Sequence, residues 1–323
     1  MAMASSPFIS ICIPAYKNIA FLQRLLESIG IQTFRDFEVV VTDDSPDDAV
    51  AGLCQQYASR FSLRYFRNER PFGMPENWNE AVRRAQSDWI KIMHDDDWFA
   101  DRNSLAVYAQ AVSEHPEAGF IFSAYRDVFL ETNRSREMRA SPARYSAFLR
   151  DHTVLFSANI IGAPSVVLYK RIPNIQFDPL FRWRVDIDFY IRYLAIGKPA
   201  YIPDILVNIG LGNSQVTRDC FNLRPVEIPE NFSLLYRVGV HHLRNILVYD
   251  AFWRLIRNLE IRRRDEIPES GYHGEIPAAI LSMIRWQQLL PLRLWRIGLV
   301  SKLGMSLNYL VNKGKIKDQE VAQ

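Results

Sequence analysis

Through the first 125 residues, short runs of β-branched and aromatic residues alternate with helical patterns. This is the signature of βαβ units and a mostly parallel sheet. Strands are predicted at Phe8 to Ile13, Phe37 to Thr42, Ser62 to Phe66, Trp89 to Met93 and Gly119 to Ser123. Between the first two, Leu22, Leu25, Leu26 and Ile29 recur at helical spacing, with Asn18 placed to cap the start and Gly30 to end it. That pattern predicts a crossover helix with one buried face. From Ser123 to Arg150 the chain turns polar and basic without a clean period, and it reads as an irregular segment beside the core. The stretch 154–209 mixes apolar runs with Gly and Pro, and after Pro229 the pattern is helical to the end.

Composition narrows the classes. A chain of 323 residues can hold one large α/β domain with a helical appendage. Its 39 basic and 36 acidic side chains leave a net charge of +3, too balanced for a nucleic-acid coat. Cys12, Cys54 and Cys220 are far apart and in no CxxC spacing, so neither a disulfide framework nor a zinc site is indicated, and a reducing cytoplasm is expected. No basic residue precedes Lys17, which speaks against a signal peptide. Uncharged stretches such as Met1 to Tyr16 and Val154 to Tyr169, 16 residues each, are broken by Pro and Ser and too short to span a bilayer.

Ligands of open parallel α/β sheets bind beyond the carboxyl ends of the strands. Here those ends are acidic: Asp43-Asp44-Ser45 follows the second strand and His94-Asp95-Asp96-Asp97-Trp98 the fourth. Adjacent, partly desolvated carboxylates repel one another unless a cation joins them. Asp oxygens suit Mn²⁺ or Mg²⁺, which complete their shells with water and substrate phosphates. The inference is a metal-bridged phosphate substrate. Neither a Walker lysine loop nor a GxGxxG fingerprint is present, so an NTPase or a dinucleotide dehydrogenase does not fit. Taken singly, Asp43 and Asp44 could be a solvated turn, and the later cluster an exposed acidic loop.

Three segments resemble the inverting family 2 glycosyltransferases of the GT-A fold, of the kind that build bacterial cell-surface polysaccharides. They are SICIPAYKN, FRDFEVVVTDDSPDD and SDWIKIMHDDDWF, in the family's order. The resemblance implies that Pro14, Ala15 and Tyr16 line the nucleotide and that Asp44 reads the base. Arg67 and Asn68 would close the third strand, and Asn77 and Asp95 would lie near the donor. Asp96 is the implied metal ligand, with Asp97 the alternative, because His94 stands where many members have the first Asp of the DxD triplet.

In LFRWRVDIDFYIRYLAIG, Asp186 matches the family's catalytic base, two residues before Asp188; a helix N-terminal charge is the plain alternative. NIIGAPSVVLYKR resembles the stretch flanking the acceptor pocket. IGLGNSQVT (209–217) resembles the loop over the donor diphosphate, where Asn213 and Ser214 replace the His or Arg of several relatives. The implied organisation is a catalytic domain at 1–225, with a donor half at 1–125 and an acceptor half at 126–225, followed by a helical region at 226–323. The implied activity is metal-dependent hexosyl or N-acetylhexosaminyl transfer, UDP-sugar favoured, to a hydroxyl of a glycan or lipid-linked acceptor.

From Ile276 to Lys317 there are seven Lys or Arg and no Asp or Glu, interleaved with Trp, Leu, Ile and Met. Such a stretch fits either the inner face of the plasma membrane or a cap packed on its own domain or a second subunit. Trp78 is expected in the core and His115 at a surface helix end. Two competing functions stand beside the transferase: a sugar nucleotidyltransferase, whose GxGTRxxPxT loop is missing, and a catalytically silent nucleotide-sugar-binding scaffold at the membrane. Donor base, sugar, acceptor and oligomeric state are left open.

Overall fold

The computed structural model describes residues 6–132, 134–212 and 220–316. The chain divides into two compact units, each assembled from three chain segments. The first comprises Met1–Tyr145, Ile160–Pro179 and Arg192–Gln215; the second comprises Ser146–Asn159, Leu180–Ile191 and Val216–Gln323.

The first unit carries β1 (Ile9–Ala15), β2 (Phe37–Asp43), β3 (Leu63–Arg67), β4 (Trp89–Ile92), β5 (Trp98–Phe99), β6 (Ala118–Phe129), β7 (Arg134–Met138), β8 (Val167–Lys170) and β9 (Lys198–Leu211). They form one sheet in the order β3-β2-β1-β4-β8-β6-β9-β5, with β7 paired to β6. β3, β2, β1 and β4 are parallel, as the alternating strand and helix patterns predict. Every residue of β1 and β2 except Pro14 is buried, which is why their apolar residues run consecutively (Val39–Val41) or on both faces rather than in strict alternation. The other half is mixed: β8 is antiparallel to β4 and β6, β7 to β6 and β5 to β9, while β6 and β9 run parallel.

The crossovers of the parallel half are α1 (Ile19–Gly30), α2 (Ala49–Tyr57) and α3 (Glu76–Arg84), and α4 (Ser104–Glu114) leads into β6. α1 buries Leu22, Leu25, Leu26 and Ile29 as its spacing predicts, but Gly30 is its last residue and the Asn18 side chain makes no capping bond. His115 is exposed at the end of α4.

Residues 123–150 are more regular than their sequence pattern implies. β6 continues to Phe129, β7 pairs back on it, and α5 (Pro142–Arg150) follows. An Arg136–Asp127 ion pair of 2.8 Å joins the two strands. β7 is exposed at all but its last residue, so it has no apolar face to give a period.

The second unit is largely helical, with α7 (Arg224–Val238), α8 (Ile246–Asn258), α9 (Ala278–Gln288) and α10 (Gly298–Asn312). α6 (Val185–Leu194) begins within it. Pro229 does not open the helical region; it lies inside α7, which starts five residues earlier. Phe232, Tyr249, Phe252, Trp253, Ile280 and Met283 form its core. Among the described residues, no helix is long and apolar enough to cross a membrane. The three cysteines are buried free thiols.

Candidate active site

β1 pairs with β2 on one side and β4 on the other, so the chain order reverses at β1. Ligands of such sheets bind at that reversal, beyond the carboxyl ends of the strands. Pro14 and Ala15 end β1, Asp43 ends β2, and His94 to Asp97 follow β4 after Met93.

Asp44 is buried and fully engaged. Its carboxylate accepts from Asn68 Nδ2 at 2.7 Å, from the Phe72 N–H at 3.0 Å and from the Gly73 N–H at 2.8 Å, so it holds the turn between β3 and α3. Asp43 is held as firmly, by the Ser45 N–H at 2.8 Å and the Tyr65 hydroxyl at 2.7 Å. Asn77 is buried; its Nδ2 donates to the carbonyls of Ala15 (3.4 Å) and Thr42 (3.3 Å) and its Oδ1 accepts from Asn68. It thereby laces the ends of β1 and β2 together. Arg67, at the end of β3, pairs with Asp48 and donates to the Ser45 carbonyl at 3.3 Å. Tyr16 is half exposed, and its N–H points to Asp95 Oδ2 at 3.5 Å.

The ligand atoms of His94, Asp96 and Asp97 lie within 4.8 Å of one another. Asp97 is buried; it accepts from the Gly210 N–H at 3.0 Å, and burial and the Asp96 charge push its carboxyl well above the usual range. Burial, then Asp96, pushes Asp95 up to about 7. Burial lowers the His94 imidazole, which favours its neutral, metal-ligating form, and its Nε2 is buried without a hydrogen-bond partner. The carboxylates of Asp96 and Asp97 with the neutral His94 imidazole beside them form a donor set that fits Mn²⁺, and the two carboxylates alone suit Mg²⁺. Both Asp96 and Asp97 belong to this cluster.

Several residues of the site were not singled out from sequence. His94, noted in the sequence only as standing where many members have the first Asp of the triplet, faces the Trp78 ring at 4.5 Å between centroids, the rings tilted by 39°. Trp78 is buried, as expected, but as a wall of this cluster. Arg24 of α1 donates from Nη2 to the Asp96 carbonyl at 2.7 Å, and its guanidinium lies 3.6 Å from the Trp98 ring centre. Ser165 Oγ accepts the His94 N–H at 3.0 Å. Lys91 is wholly buried beneath, donating to the carbonyls of Ser165 and Val167; burial drives it well below the lysine range, opposed by Asp97. A lone charge inside the apolar run WIKIM was its only signal.

In the second unit Asp186 lies in the first turn of α6 and is half buried. It accepts from Asn159 Nδ2 at 2.9 Å and from the Ile187 N–H at 2.8 Å. Burial pushes it up to about 6, against the nearby Arg184 charge. The turn before it is held by Glu230, whose carboxylate accepts the N–H groups of Arg182 (2.9 Å), Trp183 (2.8 Å) and Arg184 (2.7 Å). Asp188 is buried and paired with Arg237 at 2.7 Å. Of the loop 209–217, residues up to Gly212 are described; Asn213 and Ser214 lie outside the described residues, as does Lys317.

A sheet that reverses order at an acidic mouth, with mixed strands beyond it, is the GT-A type of α/β fold. Residues 10–172, just over half of the chain, match the family described as glycosyl transferase family 2, and the chain belongs to that family. An uncharacterized Mycobacterium tuberculosis protein is 29% identical over 218 residues, 62% of this chain and 66% of its own. An uncharacterized glycosyltransferase of Haemophilus influenzae is 27% identical over 198 residues, 60% of this chain and 64% of its own. The match thus spans just under two thirds of these relatives. Among solved structures, S. aureus TarS 1–349 in complex with UDP-GlcNAc aligns with a TM-score of 0.56 at 15% identity, covering 95% of this chain and 91% of that one. The mannosyltransferase PcManGT from Pyrobaculum calidifontis, in complex with GDP-Man and Mn²⁺, aligns at 0.53 and 15%, covering 96% and 88%.

Proposed function

We propose that the protein is a cytoplasmic, metal-dependent, inverting glycosyltransferase. It moves a hexosyl or N-acetylhexosaminyl group from a nucleoside-diphosphate sugar, UDP-sugar favoured, to a hydroxyl of a glycan or lipid-linked acceptor. The observation that carries this reading is the His94–Asp96–Asp97 cluster at the strand-order reversal. Family membership and the UDP-GlcNAc and GDP-Man complexes of fold neighbours support it.

Asp96, with His94 and Asp97, would hold a divalent ion, which when bound offsets charge on the departing diphosphate. Pro14, Ala15 and Tyr16 line the nucleotide. Asp44 reads the base from the turn it holds, Arg67 and Asn77 lie near the donor, and Asp95 faces the ribose or diphosphate. Asp186 takes the proton from the acceptor hydroxyl as that oxygen attacks the anomeric carbon. At about 6, its pKa leaves it ionised at neutral pH yet basic enough to serve. The carbon–oxygen bond to the diphosphate breaks in the same displacement, through an oxocarbenium-like transition state.

The test is thermal unfolding with UDP, GDP, dTDP and CMP, each with Mn²⁺ and with chelator. A nucleotide at 100 times its Kd stabilises the fold by about 2.7 kcal/mol. A shift with UDP that needs Mn²⁺ and disappears in Asp96→Ala is expected. No shift with any nucleotide would overturn the donor assignment.

A further inference from the structure

The helix α10 is built inside out. Its inward face is small and polar: Ser301, Gly304, Asn308 and Asn312 are buried, with Met305. Ser301 Oγ accepts from Trp253 Nε1 at 3.0 Å and Arg257 Nη1 at 2.8 Å, while Asn308 and Asn312 both donate to Ser282 Oγ at 3.0 Å. Its outward face is apolar: Leu299, Leu303, Leu307, Leu310 and Val311 recur at i, i+4, i+8, i+11 and i+12, and each is more than half exposed.

The helix cannot turn these leucines inward. A Cβ on Gly304 would lie 2.4 Å from the Trp295 ring, so only glycine fits that contact, and the buried Asn and Ser bonds lock the same register. Among the described residues nothing covers the leucine face. Exposing five large aliphatic side chains in one stripe is unfavourable in water and marks a surface that meets another phase or partner.

The surrounding charge selects which. From Ile276 to Ile316 the chain carries Arg285, Arg293, Arg296, Lys302, Lys313 and Lys315, and no Asp or Glu. All six are exposed, though Arg296 pairs with Glu260 at 2.8 Å. A second copy meeting this face about a two-fold axis would set Lys302 and the Lys313–Lys315 turn against their own kind. An anionic bilayer instead takes the leucines at its acyl boundary and the cations among its headgroups.

We propose that the outward face of α10, with Lys302, Lys313 and Lys315 at its rim, docks the protein on an anionic phospholipid surface. This goes beyond the transferase reading and does not depend on it. The test is co-sedimentation of the full chain with phosphatidylcholine vesicles and with vesicles rich in phosphatidylglycerol. Binding only to the anionic vesicles is expected, weakened by salt and by Lys302→Gln/Lys313→Gln/Lys315→Gln. Leu303→Glu/Leu307→Glu should lose roughly tenfold or more in partition, with unchanged thermal unfolding because both side chains are exposed. Failure to bind anionic vesicles, or equal binding by the leucine variant, would overturn the proposal. So would a dimer in light scattering that the leucine variant dissolves, since that assigns the face to a second copy.

Discussion

Arg24 donates through Nη2 to the backbone carbonyl of Asp96 at 2.7 Å while its guanidinium sits over the Trp98 ring, so a helix of the first crossover fixes the backbone of the acidic motif. Arg24→Ala removes a charge-assisted bond and a stacking contact and frees that carbonyl, at a cost of roughly 1–3 kcal/mol. The expected effect falls on metal more than on fold: a weaker apparent Mn²⁺ affinity in the UDP thermal-shift titration. Arg24→Lys keeps the charge but not the planar stack, and should recover only part of it.

Gly210 tests the same contact from the opposite strand. A Cβ there would stand 2.3 Å from the Asp96 carbonyl oxygen, which Arg24 prevents from retreating. Gly210→Ala should therefore push the motif out of register, lowering stability by roughly 2–4 kcal/mol. Urea unfolding measures the loss, and a variant as stable as wild type, with its Mn²⁺ response intact, would contradict the geometry.

Asp186 makes the protein sensitive to pH in two opposite ways. Its folded pKa, about 6, lies above the free value of 3.8, so the folded chain holds that proton more tightly than the unfolded one. Its contribution to stability is therefore most favourable below pH 3.8 and falls as pH rises through about 6. The loss amounts to up to roughly 3 kcal/mol. Asp186→Asn should be stabilised relative to wild type above pH 6 and equal to it near pH 4. Transfer runs the other way: kcat/KM should fall about tenfold per unit below pH 6 as the base is protonated, and Asp186→Asn should abolish it.

Glu230 anchors the turn that leads into Asp186 by accepting three N–H groups. Glu230→Ala leaves those donors unsatisfied, a loss of roughly 2–4 kcal/mol. Glu230→Gln retains one acceptor oxygen and should fall between. Chemical denaturation of the three proteins gives the order directly.

The parallel half of the sheet was legible because β1 and β2 are buried on both faces and the helices between them have one apolar stripe each. Asp44 and Asp95 to Asp97 were legible because they stand where strands end. What held them in place was not. Arg24 looks like any surface arginine of an amphipathic helix, and Ser165 and Gly210 act on the motif from 71 and 113 residues away. Local periodicity carries no trace of such bonds. The same limit hid β7, whose exposed residues follow no pattern, and the start of α7, where Pro229 looks like a boundary but sits within a helix whose packing overrides its preference.

The pairing of β6 with β9 has a consequence for synthesis. β9 ends at Leu211 and supplies both the partner of β6 and the Gly210 N–H that binds Asp97. A nascent chain that has emerged as far as β8 therefore holds an open strand edge and an acidic loop without its last tether. The motif precedes its last tether by 113 residues and is therefore among the last parts of its unit to take final shape on the ribosome.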